Sequence, residues 1–307
     1  MREIIECVMN VSEGRDQAKV QAIVSEIESV RQARLLSSTS DPDHNRSVVS
    51  FIGSPAAIAE SAFSALRKAV ELIDLRIHRG VHPRLGAVDV VPFIPILRVP
   101  MQQCVEIARQ LGARVASELE VPVYLYEYAA LRQDRRDLPS IRKKGFEQFA
   151  QLLGSDLSLQ PDFGPPRLHP SAGATIIGAR RPLIAYNVYL DSSDMVVARQ
   201  IACAIREADG GLPRVRALAF YITRKNQAQV SMNLIDYKQT SLLEAFQRVR
   251  QEAQHRGVDI SGGEIIGLVP RAALPSDPRV ELMLETFQPS QILENRIEAA
   301  IREHRSG

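Results

Sequence analysis

Two successive runs of strand-like and helix-like segments in the same order constrain the fold of this chain more than any other feature. In residues 2–97, β-rich segments alternate with segments whose apolar residues recur every three or four positions, in the order βαββαβ. Residues 182–269 repeat that order, although the two stretches share no residue-by-residue repeat. The order predicts an α/β (α+β) protein of two ferredoxin-like βαββαβ subdomains, each a sheet with helices on one face.

The starts of three helices carry specific signals. Ser54 followed by Pro55 is typical of an N-cap with a first-turn proline, Asp194 is a second N-cap, and Ser241 with Glu244 forms a capping box. Periodicity and turn residues set the other boundaries. The predicted strands cover 2–9, 33–40, 46–53, 86–97, 121–126, 182–190, 214–222, 227–236 and 264–269, and the predicted helices include 16–30, 101–119, a charged stretch at 131–152, and 290–304.

Residues 161–175, PDFGPPRLHPSAGAT, are too rich in proline and glycine to form regular structure. We therefore predict two domains, at 1–180 and 181–307. One interpretation of the segment is a plain linker. The other is a ligand-binding loop, because it contains Arg167 and His169 and loops between domains often bind ligands.

Charge and apolar patterning argue against several functional classes. The chain has 38 Lys and Arg against 36 Asp and Glu, a net charge of +2, which argues against a dedicated nucleic-acid-binding protein. No apolar run approaches the roughly 18 residues of a transmembrane helix. Cys7, Cys104 and Cys203 are isolated, which fits a reducing compartment, and we predict a cytoplasmic protein. The phosphate-loop, dinucleotide-binding and nucleophile-elbow motifs do not occur in the sequence.

The segment RIHRGVHPRLGAVDVV, residues 76–91, holds the main candidate for acid–base chemistry. His82 precedes a proline, which favours extended backbone, and Arg84 and Asp89 follow it. His82 is either a solvated loop histidine or a general acid/base. His78 and His82 have a spacing that could hold a metal on a helix, but a glycine and a proline break any helix here, so we predict no metal site.

Polar side chains at three other places have two interpretations. They are either turn residues and a solvated sheet face, or the edges of a polar binding site. These side chains are Asn10, Ser12 and Glu13 after the first strand, Asn45 and Arg46 in a hairpin, and Gln229, Ser231 and Asn233 along a late strand.

Taken in order, these motifs make the chain similar to a known family, the folate-dependent formiminotransferase domain. The segments that carry the resemblance are ECVMNVSEG at 6–14, NRSVVSFIG at 45–53, HPRLGAVDVVPFIP at 82–95, VPVYLY at 121–126, PDFGP at 161–165, SAGAT and GAR within 171–180, QVSMNLID at 229–236, and GLVP at 267–270. The resemblance spans nearly the whole chain. It implies two α/β subdomains with a ligand tunnel between them.

The resemblance also implies a reaction and a set of site residues. The formimino group would move from N-formimino-L-glutamate to N5 of tetrahydrofolate, giving 5-formimidoyltetrahydrofolate and L-glutamate in histidine degradation. His82 would be the general acid/base, with Asp89 orienting its ring or contacting the pterin. The folate-binding loop would be Gly164, Pro165, Pro166, Arg167, Leu168, His169, Pro170, Ser171, Ala172 and Gly173. The other expected substrate contacts are Asn10, Ser12, Glu13, Asn45, Arg46, Arg84, Gln229, Ser231 and Asn233.

This sequence departs from the family pattern in two places. Residues 166–169, PRLH, and Ala172 stand where vertebrate relatives carry uncharged residues and a tryptophan, so we expect altered folate contacts, with Arg167 meeting a glutamate carboxylate. Met9 and Val11 stand where the family usually has proline and phenylalanine.

The resemblance implies tetrahydrofolate as co-substrate, no metal, no nucleic acid or membrane partner, and a homodimer. Because the sequence ends at Gly307, we expect the product to pass to a separate cyclodeaminase. Three alternatives stay open. The first is the same fold with another reaction, using formiminoglycine or exchanging formyl groups between 5-formyltetrahydrofolate and glutamate. The others are a non-catalytic folate-binding protein and a module that binds nucleic acid or a protein partner.

Overall fold

The computed structural model describes residues 3–42, 44–80, 83–142 and 145–303, and at Arg224 the backbone alone. The chain divides into two compact units, of which the first ends at Arg180 and the second begins at Arg181. Each unit has its own sheet and its own apolar core. The predicted α/β class is confirmed.

The first unit contains the predicted βαββαβ order and then continues. Its elements are β1 (Ile4–Val11), α1 (Gln17–Glu28), β2 (Arg34–Asp41), β3 (Arg46–Gly53), α2 (Pro55–Leu72), β4 (Val88–Leu97), α3 (Met101–Glu118), β5 (Val123–Glu127), α4 (Leu138–Arg142), α5 (Gly145–Leu152) and β6 (Thr175–Ala179). As predicted, the Ser54 side chain caps α2 by accepting a hydrogen bond from the backbone N–H of Ala57.

The strands of the first unit form one six-stranded sheet in the order β2-β3-β1-β4-β6-β5. The first four pair antiparallel, whereas β6 runs parallel to both β4 and β5. The pairing of β1 with β4 shifts register, because Asn10 faces Val90 and Val11 faces Val88. Asp89 is thus the extra residue of a β-bulge, a device that re-aims a side chain.

Helices cover both faces of this sheet. Ile23 of α1, Ile58 of α2 and Leu111 of α3 belong to one core with Cys7 and Phe51 of the strands. On the other face, Ile141 of α4 and Phe149 of α5 form a smaller core with Val90 and Tyr124. The rings of Tyr124 and Phe149 meet edge to face at 5.3 Å. The prediction had helices on one face of the sheet only. In the structure the short helices α4 and α5 cover the other face as well.

The second unit repeats the βαββαβ order. Its elements are β7 (Ile184–Leu190), α6 (Met195–Ile205), β8 (Val215–Ile222), β9 (Gln227–Leu234), α7 (Leu242–His255), β10 (Ile260–Ile266), α8 (Pro278–Glu281) and α9 (Leu293–Glu303). The sheet is antiparallel throughout in the order β10-β7-β9-β8. The predicted caps are present, since Asp194 accepts from two N–H groups of α6 and Ser241 accepts from the N–H of Glu244.

Two predicted elements need correction. The stretch 131–152 is not one helix, because Pro139 is tolerated only in the first turn of α4 and Gly145, at the start of α5, has a φ of +63°. The strand predicted at 264–269 lies earlier, at Ile260–Ile266, and contains two glycines that resemble a turn in the sequence. A Cβ at Gly263 would come within 2.4 Å of the Leu282 carbonyl oxygen, which explains a glycine inside this strand.

Strand β6 was not predicted, because its residues directly follow the loop rich in proline and glycine.

Over the described ranges, no helix is long and apolar enough to cross a membrane.

Candidate functional site

Three of the predicted site segments meet where β1 ends. The backbone N–H of Ser12 donates to the Ala87 carbonyl at 2.8 Å, and its hydroxyl donates to the Gly86 carbonyl at 2.7 Å. On the other side of the same segment, the N–H of Ala87 donates to the Ala172 carbonyl at 2.9 Å. The ends of the predicted folate loop and of the first strand thus flank residues 84–87.

Two glycines permit this close approach. A Cβ at Gly86 would lie 1.9 Å from the Ala174 carbonyl oxygen, and one at Gly173 would lie 2.2 Å from the Leu85 carbonyl oxygen. Gly173 also has a φ of +71°, which side chains disfavour. Both positions therefore require glycine, and the two segments are held at backbone contact.

Glu13 and Asn45 hold the neighbouring loops together. One carboxylate oxygen of Glu13 accepts hydrogen bonds from the N–H groups of Gly14, Arg15 and Asp16 at 2.9 to 3.0 Å. The Asn45 amide oxygen accepts from the Gly14 N–H at 2.9 Å, and its amide nitrogen donates to the Arg79 carbonyl at 3.0 Å. Most polar side-chain atoms of Glu13 and Asn45, which were predicted to contact substrate, thus form hydrogen bonds within the protein.

Asp89 is the centre of a buried ion cluster. Its side chain is fully buried, and one carboxylate oxygen accepts hydrogen bonds from Arg46 at 2.9 Å and Arg142 at 3.0 Å. The other oxygen accepts from the Leu85 N–H at 2.8 Å. Burial raises the pKa of the Asp89 carboxyl, but the two guanidinium groups outweigh burial and lower the pKa below its usual value. Asp89 is therefore a carboxylate at neutral pH.

Arg84 is held from two sides. Its guanidinium donates to the Glu147 carboxylate at 2.7 Å and to the His78 carbonyl at 3.1 Å. The Nε of Arg84 is buried without a hydrogen-bond partner among the described residues. These contacts leave Arg84 fixed beside the segment that carries the predicted catalytic histidine.

His78 is buried and neutral. Its Nε2 lies 2.9 Å from the Asn45 carbonyl and must donate to it, so Nδ1 holds the lone pair. Burial lowers the pKa of His78, and its Nδ1 has no hydrogen-bond partner in the part of the chain that the structure describes. Together with Glu13, Asn45 and Arg79 it lines a cavity of about 280 Å³. His82, the predicted general acid/base, lies outside the described residues.

The predicted folate loop is an ordered turn. Gly164 has a φ of +91°, and His169 pairs with Gly173 through two backbone hydrogen bonds of 2.9 and 3.0 Å. The His169 ring nitrogen Nδ1 accepts from the Ala172 N–H at 3.0 Å. Arg167 is exposed, and the remaining predicted members of the loop lie between these anchors, namely Pro165, Pro166, Leu168, Pro170 and Ser171.

The predicted residues of the second unit share one sheet face. Gln229, Ser231 and Asn233 alternate with residues of the apolar core, and they lie opposite Tyr189, Asn187 and Ala185 of β7. Gln229 is buried, whereas Asn233 is exposed. The three amide and hydroxyl groups therefore form a polar row along β9, a central strand of this sheet.

Sequence reasoning missed several charged residues that the structure places near these groups. Arg142 and Glu147 lie in a stretch so rich in charge that nothing distinguished them. Glu6 was noted only as an interruption of the first apolar strand, although a charge inside such a strand signals a buried ionisable group. Within the described ranges, no group of three or more His, Cys, Asp or Glu side chains could hold a metal ion.

Comparison with known proteins relates this chain to a family. Residues 4–180 match the formiminotransferase domain, N-terminal subdomain, and residues 185–298 match the formiminotransferase domain. A glutamate formimidoyltransferase of Thermoplasma acidophilum is 46% identical over 97% of this chain and 98% of its own length. One of Streptococcus pyogenes is 41% identical over 97% and 99%. The formimidoyltransferase-cyclodeaminase of Rattus norvegicus is 42% identical over 89% of this chain, which corresponds to 51% of the rat protein.

Proposed function

The chain belongs to the formiminotransferase family, and from this membership we infer that it is a glutamate formimidoyltransferase. It transfers the formimino group of N-formimino-L-glutamate to N5 of tetrahydrofolate and releases L-glutamate. The near full-length identity of 46% to a named glutamate formimidoyltransferase carries this conclusion. The reaction fits a role in histidine degradation, and tetrahydrofolate is a co-substrate.

We propose the following chemistry. N5 of tetrahydrofolate attacks the formimino carbon, forming a C–N bond and a tetrahedral intermediate. The bond from that carbon to the glutamate nitrogen then breaks, and the proton lost by N5 is delivered to the departing amine. His82 is our candidate to carry this proton, a contribution typically worth about 10²–10⁴ in rate. Holding both reactants together supplies much of the remaining acceleration.

The surroundings of residues 84–87 support this proposal. Beside the segment that follows His82, the three arginines Arg46, Arg84 and Arg142 are paired, among the described residues, with only two carboxylates, Asp89 and Glu147, which leaves an excess of positive charge. Both substrates carry carboxylates, which arginine binds well. We propose that Ser12, Glu13, Asn45 and Asp89 act mainly by fixing the loops, since their polar atoms bond within the protein.

The reaction is tested by measuring glutamate release from N-formimino-L-glutamate with and without tetrahydrofolate. Acidification converts the product to 5,10-methenyltetrahydrofolate, which absorbs in the near ultraviolet. We expect folate-dependent release with a matching methenyl signal. Release with formiminoglycine, or formyl exchange with 5-formyltetrahydrofolate, in place of this activity would assign a different donor. Folate binding without any transfer would contradict the enzymatic proposal.

The role of His82 has its own test. We expect His82→Gln to lower kcat by about 10²–10⁴ while the variant keeps its thermal stability. His255→Gln at the end of α7 is the matched control and should keep full activity. An active, folded His82→Gln variant would assign the proton transfer to another group.

Family membership also supports proposals on the larger assembly. We propose a cytoplasmic homodimer whose product is consumed by a cyclodeaminase activity. Light scattering on the purified chain measures the dimer directly, and a monomeric mass at micromolar concentration would contradict it.

A further inference from the structure

The cavity of about 280 Å³ that His78 lines is rich in charged side chains. Its walls come from the start of α1 and from the loop that follows α2. The charged residues that line it are Glu13, Arg15, Asp16, Lys19, Asp74 and Arg79. We name it the Arg79 cavity.

The acidic groups of the Arg79 cavity are bound by the protein itself. The Asp74 carboxylate pairs with the guanidinium of Arg76 through contacts of 2.6 to 3.0 Å. The Asp16 side chain caps α1 by accepting hydrogen bonds from two of its backbone N–H groups. One oxygen of Glu13 accepts from three backbone N–H groups. One of the three acidic charges is therefore neutralised by an arginine, and the other two face backbone donors.

The basic groups of the Arg79 cavity are far less engaged. In the described ranges, Arg15 and Arg79 form no ion pair and donate only to backbone carbonyls. The Nζ of Lys19 lies 3.9 Å from a Glu13 oxygen, which is too long for a hydrogen bond. Once the neutralised acid is set aside, three cations face two carboxylates. This excess suits an anionic ligand, and arginine binds carboxylates especially well.

His78 gives the same cavity a polar atom without a partner. Because its Nε2 donates to the Asn45 carbonyl, its Nδ1 is an acceptor. This Nδ1 is buried and has no hydrogen-bond partner among the described residues. A buried acceptor without a donor costs free energy, and a ligand N–H group that reaches it would remove that cost.

We propose that the Arg79 cavity binds the glutamyl part of N-formimino-L-glutamate. Arg15, Lys19 and Arg79 bind its two carboxylates, and its formimino N–H groups point towards His78. Since His78 and Arg79 precede His82 by four and three positions, the formimino end lies next to the segment that holds the predicted acid/base. This assignment rests on the proposed function, because it takes the formimino donor as the ligand.

The size of the Arg79 cavity favours the donor over tetrahydrofolate. Ligand pockets usually enclose about 300–1,000 Å³, so this cavity is at the small end of that range. Tetrahydrofolate joins a pterin, an aminobenzoyl ring and a glutamate, whereas N-formimino-L-glutamate is a single short chain with two carboxylates. Formiminoglycine has only one carboxylate, so the three cations also predict a preference for the glutamate derivative.

Donor kinetics and L-glutamate binding test the assignment. We expect Arg79→Gln and Lys19→Gln each to raise the KM for N-formimino-L-glutamate roughly tenfold, the effect of losing one charge-assisted hydrogen bond, with a much smaller effect on the KM for tetrahydrofolate. Calorimetry should show a similar loss of affinity for L-glutamate. L-glutamine lacks the side-chain carboxylate, so the parent protein should prefer L-glutamate and the variants should lose that preference. Arg79→Lys keeps the charge and should retain part of the affinity.

Arg31→Gln is the matched control, because Arg31 is an exposed arginine of the same unit that does not line the Arg79 cavity. It should keep the parental KM for both substrates. Thermal unfolding checks that each variant is folded, and Lys19→Gln removes no hydrogen bond found among the described residues.

The outcomes separate this inference from the proposed function. Parental KM values and L-glutamate affinity in both variants, in a protein that transfers formimino groups, would overturn the inference alone. An equal rise in the KM for both substrates would overturn it as well, since it would indicate general damage to the site. A parent protein that binds L-glutamate through Arg79 and Lys19 but transfers nothing would support the cavity and contradict the proposed function. A parent protein that neither transfers formimino groups nor binds L-glutamate would overturn both.

Discussion

At the scale of single residues, Asp89 connects three separate parts of the first unit. Its carboxylate accepts hydrogen bonds from Arg46 at the start of β3, from Arg142 at the end of α4, and from the backbone of Leu85. Because Asp89 is the extra residue of a β-bulge, its side chain can meet all three. The segment that contains the predicted catalytic histidine is therefore anchored by a charge seven residues beyond it.

We expect Asp89→Asn to reduce the free energy of unfolding by about 3–5 kcal/mol, because two partly buried guanidinium groups lose their shared carboxylate. Urea denaturation measures this change. Asp209→Asn, which removes the partner of Arg206 at an exposed position, is the control and should cost less than about 1 kcal/mol. Similar losses in both variants would show that Asp89 is not an anchor.

Glu6 predicts a specific dependence of stability on pH. Its pKa is about 7 in the folded chain and 4.5 when unperturbed, because burial disfavours the charged form. The folded state therefore holds the proton more tightly, so the stabilisation is complete below about pH 4.5 and is lost as pH rises through 7. Arg180 is the charged group that opposes the shift of the Glu6 pKa, and the adjacent Cys7 stays a neutral thiol because burial raises its pKa.

Urea titrations at pH 5 and pH 8 test this dependence. Glu6→Gln should gain stability relative to the parent by on the order of 3 kcal/mol between these two values. A stability difference that does not change with pH would show that Glu6 ionises normally in the folded protein.

At the scale of elements, backbone contacts rather than side chains hold the candidate site together. Residues 85–87 lie between the end of β1 and residues 172–174, and each side is joined by backbone hydrogen bonds. Gly86 and Gly173 allow this spacing, since either Cβ would overlap a carbonyl oxygen. The loop rich in proline and glycine is thus a fixed partner of the segment that carries the predicted chemistry.

Gly86→Ala should separate these segments. We expect a loss of about 1–3 kcal/mol in unfolding free energy, as in other overpacked sites, together with a marked fall in kcat. Gly154→Ala is the matched control, because no atom lies within 4 Å of a Cβ there, and it should be neutral or slightly stabilising. Full activity of Gly86→Ala would mean that the contact is not needed for the site.

The sequence predicted the helices and strands better than it predicted which distant residues contact each other. The cap signals placed the starts of α2 and α6 at the observed residues, because these signals are local. Strand β6 was missed, since its pairing with β4 and β5 depends on residues far away in the chain. For the same reason the sequence identified Asp89 and Arg46 as polar candidates but could not show that they pair, and it missed Arg142 altogether.

At the scale of the whole molecule, each unit has the parts of an independent domain. The second unit has a four-stranded sheet and its own core of residues from β7, β9, α6 and α7. A closed core of this kind is what allows a segment to fold alone.

We expect the isolated segment 181–307 to unfold in one cooperative transition. Urea denaturation followed by far-ultraviolet circular dichroism measures it, with the intact chain as the reference. A fragment without a cooperative transition would show that the second unit depends on the first.

The parallel strand β6 has a consequence for synthesis on the ribosome. The strands β1 to β4 can pair once about the first hundred residues have emerged, but the backbone partners of residues 85–87 lie at 172–174. Residues 85–87, next to the predicted catalytic histidine, must therefore wait for more than seventy further residues to be translated, which takes on the order of 4–15 s at usual elongation rates. The nascent chain can form most of the first sheet before it can form the candidate site. Stalled or truncated products that end before residue 172 would therefore be partly folded but inactive.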